Sequence, residues 1–357
     1  MYEDQTFEKI QQRELERVRI TNGELDIREG SIIQTSTATT AVEHQNMYIA
    51  IDAYLNESFV DTQSRPYLIR RCAERKITPK ESTKAIRKGQ FNIDVPIGSR
   101  FSLNALNYVA VQKIKDGVFQ MECETPGAIG NAETGTLIPI RYIDGLTSAV
   151  LTDVLIPGED EETTEALRQR YYDSIKNDAF GGNIADYRMT VKEIQGVGDC
   201  KVAPVWNGGG TVLVTVISSE WEAPSEQLVS LVQQTLDPTN DGGGYGTAPI
   251  GHVVTVVGVQ QTTVDIVLTL GYETGVSFSD VQAVIQSTLQ AYFLQLAQEW
   301  ADSSSLTVRV SQIEARILDV PGIVDVADTQ INGETSNFQL PSNAIPVLGE
   351  LSEKGAG

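Results

Sequence analysis

Residues 157–217 read PGEDEETTEALRQRYYDSIKNDAFGGNIADYRMTVKEIQGVGDCKVAPVWNGGGTVLVTVI. Acids at Glu159 to Glu162 precede a helical pattern in which Leu167, Tyr171 and Ile175 share one face. Gly181-Gly182 then breaks the helix, because glycine reaches backbone angles that other residues avoid. Asn183 is a good N-cap, with Asp186 three residues on. Ile184, Tyr187, Val191 and Ile194 mark a second helix that Gly196 ends. Lys201 to Val205 and Thr211 to Ile217 predict a β-hairpin around Asn207-Gly208-Gly209-Gly210. No residue here has the setting of a nucleophile or a metal ligand. The glycine loop lacks the Gly-Lys-Ser/Thr ending of a phosphate loop, and a strand follows it rather than a helix.

Outward from this block the chain changes character several times. Asp4 to Ile20 predicts a charged amphipathic helix bearing Phe7, Ile10, Gln11, Glu14 and Val18, stopped by Asn22-Gly23. A long second helix carries Ile33, Thr37, Ala41, His44, Tyr48, Ile51 and Leu55 at three- and four-residue steps. A third holds Tyr67, Leu68 and Cys72. So little chain separates the three that a hairpin or a bundle contribution is expected. From Lys84 to Ile156, short β-rich runs are punctuated by Pro96-Ile97-Gly98, Asp116-Gly117, Pro126-Gly127 and Asp144-Gly145. They predict a small sandwich or partly open barrel. Glu122 and Glu124 would share a strand face there; a solvated pair is expected, since hydrolysis of sugars needs an acid, a cleft and a set separation.

Ser225 to Leu236 predicts a further helix, and Asp237-Pro238 to Gly246 a linker. His252 to Val259 is apolar, and Val264, Ile266, Leu268 and Leu270 alternate as in a half-buried antiparallel strand. Ser279 with Gln282 suggests a capping box for a helix burying Val281, Val284, Ile285, Leu289, Tyr292 and Leu296. The series Ile184, Tyr187, Val191, Ile194, Gly196, Val197, Asp199 recurs at constant offset as Val310, Ile313, Ile317, Val320, Gly322, Ile323, Asp325. Internal duplication of an α/β unit would produce this, as would chance recurrence of a helix-Gly-Val-strand junction. The fold class expected is α+β and multidomain: helices in 1–78, a β-rich domain in 79–156, and two α/β units in 157–240 and 241–357.

The formal net charge of -21 opposes contact with nucleic acid and with anionic lipid. It keeps the chain soluble or offers an acidic face to a basic partner. Cys72, Cys123 and Cys200 are odd in number and scattered, which points to a reducing cytoplasm rather than a disulfide framework. No apolar signal core opens the chain and no stretch is apolar for long enough to span a membrane, so neither export nor membrane insertion is expected. His44 and His252 stand apart, without cysteines or acids at ligand spacing, so neither a metal nor a cofactor is expected.

The ordered series from Gly158-Glu159-Asp160-Glu161-Glu162 through Leu167-Arg168, Arg170-Tyr171, Gly181-Gly182-Asn183 and Asp186-Tyr187-Arg188 resembles the baseplate J-like family. Gly196-Val197 and Trp206-Asn207-Gly208-Gly209-Gly210-Thr211-Val212 fit the same pattern, as do 95–101 and 122–131 in the β-rich part. The resemblance implies a structural wedge protein of a contractile phage tail or a tail-like bacteriocin, not an enzyme. It implies contacts with other copies, with smaller wedge proteins through the N-terminal helices, and with the central hub and sheath-proximal proteins. It also implies synthesis in a bacterial host cytoplasm before incorporation in the tail baseplate. Candidate interface residues are Ile10, Val18, Tyr48, Leu55, Trp206, Ile345, Val347 and Leu348. Candidate hinges are Gly181, Gly182, Gly242, Gly243 and Gly244. A glycan-cleaving enzyme would need an acidic or histidine-centred site. A sugar-binding adhesin has only the β-rich domain and Trp206 in its favour.

Overall fold

A computed structural model describes residues 2–176 and 181–354. The chain forms two compact units, one from residues 1–80 and 162–176, the other from 81–161 and 177–357.

The first unit is helical. Helix α1 (Phe7–Thr21) is capped by Thr6 and helix α2 (Ile32–Asn56) by Ser31, each hydroxyl accepting a main-chain N–H three residues on. The two helices form a hairpin. Ile10 and Ala41 are buried, His44 Nδ1 lies 2.8 Å from Glu14 Oε1, and Tyr2 packs on Tyr48. Helix α3 (Arg65–Ala73) and helix α4 (Thr164–Lys176) share a second small core of Leu68, Cys72 and Leu167. Arg168 donates to the carbonyls of Val60 and Gln63, both at 2.7 Å. So α4, read from sequence as the entry to the central α/β block, packs in the helical unit. The acids before it do not line its first turn either. Glu162 pairs with Arg170 at 2.8 Å, while Glu159 and Asp160, in the second unit, accept main-chain N–H groups of Gly196 and Ala128.

The second unit begins with seven strands: β1 (Ile86–Phe91), β2 (Arg100–Leu103), β3 (Leu106–Lys115), β4 (Val118–Cys123), β5 (Gly135–Thr136), β6 (Ile138–Pro139) and β7 (Ala149–Ile156). Their order is β5-β7-β1-β4-β3-β2-β6. The two end strands, β5 and β6, are separated in sequence by Leu137 alone, so the sheet's opposite ends lie within a residue of each other. A sheet joined end to end in this way is a barrel. Phe91, Phe101, Tyr108, Phe119, Met121 and Leu151 fill it. Gly89 faces the same interior; a Cβ there would stand 2.6 Å from Met121 Cγ, so glycine makes room for the methionine. Glu122 and Glu124 lie outside, paired with Lys84 at 2.8 Å and Arg100 at 2.5 Å.

Next come α5 (Ile184–Lys192), β8 (Val197–Pro204), β9 (Thr211–Ser218), α6 (Glu226–Leu236) and β10 (Val253–Gly258). The sheet order is β10-β9-β8, with β8 antiparallel and β10 parallel to β9. The expected hairpin around the glycine loop is present. Asn183 caps α5 by accepting from Asp186 N at 2.8 Å. Tyr187 and Val191 of α5 and Leu228, Val232 and Leu236 of α6 pack on Val212, Val214, Val216, Val254 and Val256. Ile184, by contrast, is exposed at the start of α5.

The last part holds β11 (Gln260–Tyr272), α7 (Phe278–Gln298), β12 (Thr307–Val308), α8 (Val310–Leu318), β13 (Ile323–Ile331), β14 (Phe338–Gln339) and β15 (Ala344–Glu353). Strand β11 is central, antiparallel to β13 and parallel to β15. It therefore differs from the expected antiparallel strand on one side only. The capping box of α7 is Ser277 with Asp280, two residues earlier than the sequence pattern placed it. Val284 is exposed, whereas Phe293, outside the expected set, is buried.

The repeated junction is visible as α5 into β8 and α8 into β13, each ending on an edge strand antiparallel to a central one. The chain order around it differs. The central strand β9 follows its junction, whereas β11 precedes its own. The echo is thus confined to the junction; a straightforward tandem copy would preserve the order.

Polar contacts join the barrel to the central sheet. Gln195 Nε2 donates to the carbonyls of Lys84 and Pro157, and Ser225 Oγ to that of Leu155. Glu220 lies beside this joint. Burial and the neighbouring Glu222 raise its pKa, against a hydrogen bond from Asn131 and the charge of Arg87. Folding therefore favours the neutral acid, and the stability present below the unfolded-state value is lost as pH rises through the raised folded-state value. Glu220→Gln is expected to raise the melting temperature at neutral pH and to change it little at pH near 4, as read from thermal unfolding at the two pH values.

Candidate functional site

The surfaces able to carry an assembly role are built from helix α2, the loops at one end of the central sheet, and strand β15. Along α2 only Ala41 is fully buried, although the helix is apolar for most of its 25 residues. Ile32 is 87% exposed, Ile49 61% and Tyr54 73%, with Val42, Met47 and Ile51 also exposed. An apolar helix without a dominant polar face normally has neighbours on several sides. Of the residues expected here, Val18, Tyr48 and Leu55 are half-buried. Ile10 is 0% exposed because it fills the α1–α2 seam, so its side chain is not available to a partner. The more exposed Ile49 and Tyr54 were missed, since a single-stripe reading looks only along one face. Their signal lay in the apolar residues off that stripe.

At the end of the central sheet, Trp206 is 46% exposed and follows Val205, whose φ of 60° is unusual for a β-branched residue. Tyr245 and Ile250, also exposed, come from the loop between α6 and β10. Asn207 N donates to Thr211 Oγ1 at 3.0 Å and Thr211 Oγ1 to Gly208 O at 2.7 Å, which fixes the hairpin turn.

Gly181, Gly182, Gly242 and Gly244 have φ of 59°, 86°, 71° and 74°; Gly243 does not share that region. Gly182 and Gly242 both approach the turn at Pro249 to His252. A Cβ on Gly182 would stand 2.3 Å from Pro249 Cγ, and one on Gly242 would stand 3.2 Å from Gly251 C. Gly251 N donates to Gly242 O at 2.8 Å. His252 Nδ1 lies 2.9 Å from the Tyr187 hydroxyl, and burial pushes that phenol up to about 12. Thus the two glycine segments, far apart in sequence, converge on one turn.

In β15, Ile345 is 1% exposed and belongs to the C-terminal core, which corrects its reading as an interface residue. It lies in the wholly buried first three residues of β15, paired with Gln261 of β11. Val347 is 36% exposed and Leu348 packs partly against the core. The central and C-terminal sheets are tied through Trp300, Lys201 and Arg188. Lys201 Nζ sits 4.5 Å from the Trp300 ring centre and donates to Ser342 O at 2.7 Å. Arg188 bridges Asp199 at 3.0 Å and Asp302 at 2.9 Å; burial opposes its charge, and the two carboxylates outweigh that and raise its pKa.

One groove of about 670 Å³ runs between α6 and β10, and a second of about 510 Å³ lies beside Arg87 and β7. A single carboxylate lines each, Glu226 in the first and Asp153 in the second. Among the described residues no three His, Cys, Asp or Glu side chains gather as a metal site, and no helix is long and apolar enough to cross a membrane.

The pattern described as the Baseplate J-like central domain matches residues 179–258, and the Baseplate J-like protein C-terminal domain matches residues 264–353. Over 355 residues the chain is 37% identical to the Phage-like element PBSX protein XkdT of Bacillus subtilis (strain 168), covering 98% of each. It is 32% identical over 95 residues to Baseplate protein gp47 of Escherichia phage Mu, covering 26% of each. A chain of the anti-feeding prophage (AFP) baseplate, solved by cryo-EM with 6-fold symmetry, matches with a TM-score of 0.43 and 9% identity, over 96% of this chain and 90% of that one. With two consecutive domain patterns in place and a relative alike from end to end, the chain belongs to the baseplate J-like family.

Proposed function

We propose that this protein is a structural wedge subunit in the baseplate of a contractile tail, of a phage or a tail-like bacteriocin. A structural baseplate role follows from the family. The finer reading is that several copies form a ring around the central hub and pass the contraction trigger to the sheath. The observation that carries it is α2, whose exposed Ile32, Ile49 and Tyr54 call for helical neighbours that α1 alone does not supply. Smaller wedge proteins and other copies are the proposed neighbours. Hub and sheath-proximal proteins would meet the rest of the chain, including Trp206 and Val347. The role requires no catalysis, cofactor, nucleic acid or membrane. The protein would be made in the host cytoplasm and act in the particle.

In this reading 1–78 bundles, with α4 as its fourth helix; 79–156 projects as the barrel; the central sheet, which with β10 runs past the expected boundary at 240, and the C-terminal sheet that begins at β11 build the ring. Gly181-Gly182 and Gly242 to Gly244 are the proposed joints, supported by their convergence on the Pro249 to His252 turn. The test is co-expression with the products of neighbouring genes, followed by light scattering. Tyr54→Glu with Ile49→Glu is expected to abolish co-purification of a helical partner while leaving the melting temperature within a few degrees, because both side chains are solvent-facing in the subunit.

A further inference from the structure

Strand β10 is an edge of the central sheet, and its sequence Val253-Val254-Thr255-Val256-Val257-Gly258 carries neither charge nor proline. A β-branched, uncharged edge of this kind is a template for pairing with another chain. Val253 N and Val259 N donate toward β9, to the carbonyls of Gly210 and Val216, both at 2.9 Å. By the alternation of a parallel ladder, the main-chain groups of Val254 and Val256 face away from it.

Helix α6 and its C-cap meet those groups. Gln233 Nε2 donates to Val254 O at 2.9 Å, and Gln233 Oε1 accepts from Val256 N at 2.9 Å. One primary amide thus pairs with the edge as the N–H and C=O of one residue in an added parallel strand would. The other N–H of Gln233 donates to Asp237 O at 2.8 Å, which holds the amide in this orientation. Asp237 Oδ2 accepts from Val254 N at 3.2 Å and also from Gly242 N at 3.2 Å. The Asp237 residue is 2% exposed.

We infer that Gln233 and Asp237 form a surrogate strand that closes the β10 edge against a second copy of this chain. A second copy is the occupant because the edge is self-complementary. A two-fold axis would set two β10 strands antiparallel, valine facing valine with no like charges opposed. The inference is independent of the wedge reading, since it concerns the isolated subunit.

Gln233→Ala tests it in the full chain. Exchange of the Val256 amide is expected to quicken about tenfold, the effect of one lost hydrogen bond. The weight-average mass is expected to rise with concentration above that of the wild type. Gln233→Ala combined with Thr255→Lys should restore the wild-type mass while exchange stays fast, because a lysine on an edge strand discourages pairing. Unchanged exchange would overturn the inference, as would fast exchange with unchanged mass, or association that the lysine does not reverse. Should the alanine variant not fold, Gln233→Met fills similar space without hydrogen-bonding groups and gives the same readouts.

Discussion

Replacing Trp300 with alanine is expected to lower the unfolding free energy of the C-terminal sheet by about 3–5 kcal/mol. Trp300 is 0% exposed and the largest fully buried side chain in the chain's described part. It packs in the same core as Ile285, Leu289, Ile313 and Ile317 from the helices and Ile266 and Leu268 from β11. Its Nε1 donates to Ser342 O at 3.1 Å, so truncation also leaves that carbonyl with one partner fewer. The same ring carries Lys201 of the central sheet on its face. Burial lowers the pKa of that lysine, so the ring and the Ser342 carbonyl together hold a cation that water solvates poorly there. The loss should therefore appear both as stability and as faster amide exchange near the contact between the two sheets. Trp300→Phe should retain most of the packing and lose the indole hydrogen bond, costing about 1 kcal/mol more than a perfect fit would. Urea unfolding followed by circular dichroism measures both variants; an alanine cost below about 1 kcal/mol would contradict the packing account.

Arg87→Met is expected to cost the barrel about 3 kcal/mol, because more than one buried carbonyl loses a charged donor. Arg87 lies on the inward face of β1 with Gly89 and Phe91 and is 1% exposed. Its guanidinium donates to the carbonyls of Gly130 at 2.9 Å, Asn131 at 2.7 Å, Thr152 at 2.7 Å and Asp153 at 3.4 Å. The first two belong to the short 3₁₀ turn at Ala128–Asn131 and the others to β7, so one side chain ties the turn to the barrel wall. Burial lowers its pKa, and the surrounding dipoles stand in for water. Methionine fills similar space but takes the charged donor from the carbonyls of Asn131 and Thr152 and leaves Gly130 O with the Tyr108 hydroxyl at 3.5 Å, and that desolvation cost dominates. Lysine presents one ammonium instead of a planar fork and should recover only part of the loss. Denaturant unfolding monitored at the barrel tyrosines checks the order wild type, lysine, methionine.

The sequence was most legible where local periodicity and local caps decide the outcome. Helix α8 carries Val310, Ile313 and Ile317 of the repeated series, Asn183 caps α5, and the glycine loop joins two antiparallel strands. Inward residues of β11 follow simple alternation. What was hidden depends on residues far apart in the chain. Barrel closure rests on two-residue strands flanking Leu137, too short to leave a pattern. Helix α4 has an ordinary amphipathic face; only the tertiary contacts of Leu167 and Arg168 send it to α3 rather than to the central sheet. The capping box slipped because Ser277 and Ser279 both have serine's capping chemistry, and only the backbone distinguishes them. For the assembly surface, composition pointed to α2, but choosing a single stripe selected half-buried positions over Ile49 and Tyr54. Ile345 was misplaced because an apolar run near a chain end looks like a docking tail until a partner strand, β11, is known to cover it.

The most direct test of the wedge reading is the mass of the species that this chain forms when co-expressed with the products of its neighbouring genes. The account predicts a stable complex that contains more than one copy together with a smaller helical protein, and predicts that Ile49→Glu with Tyr54→Glu removes the helical protein. A lone 38.9 kDa monomer, unchanged by those partners and by the double substitution, would contradict it.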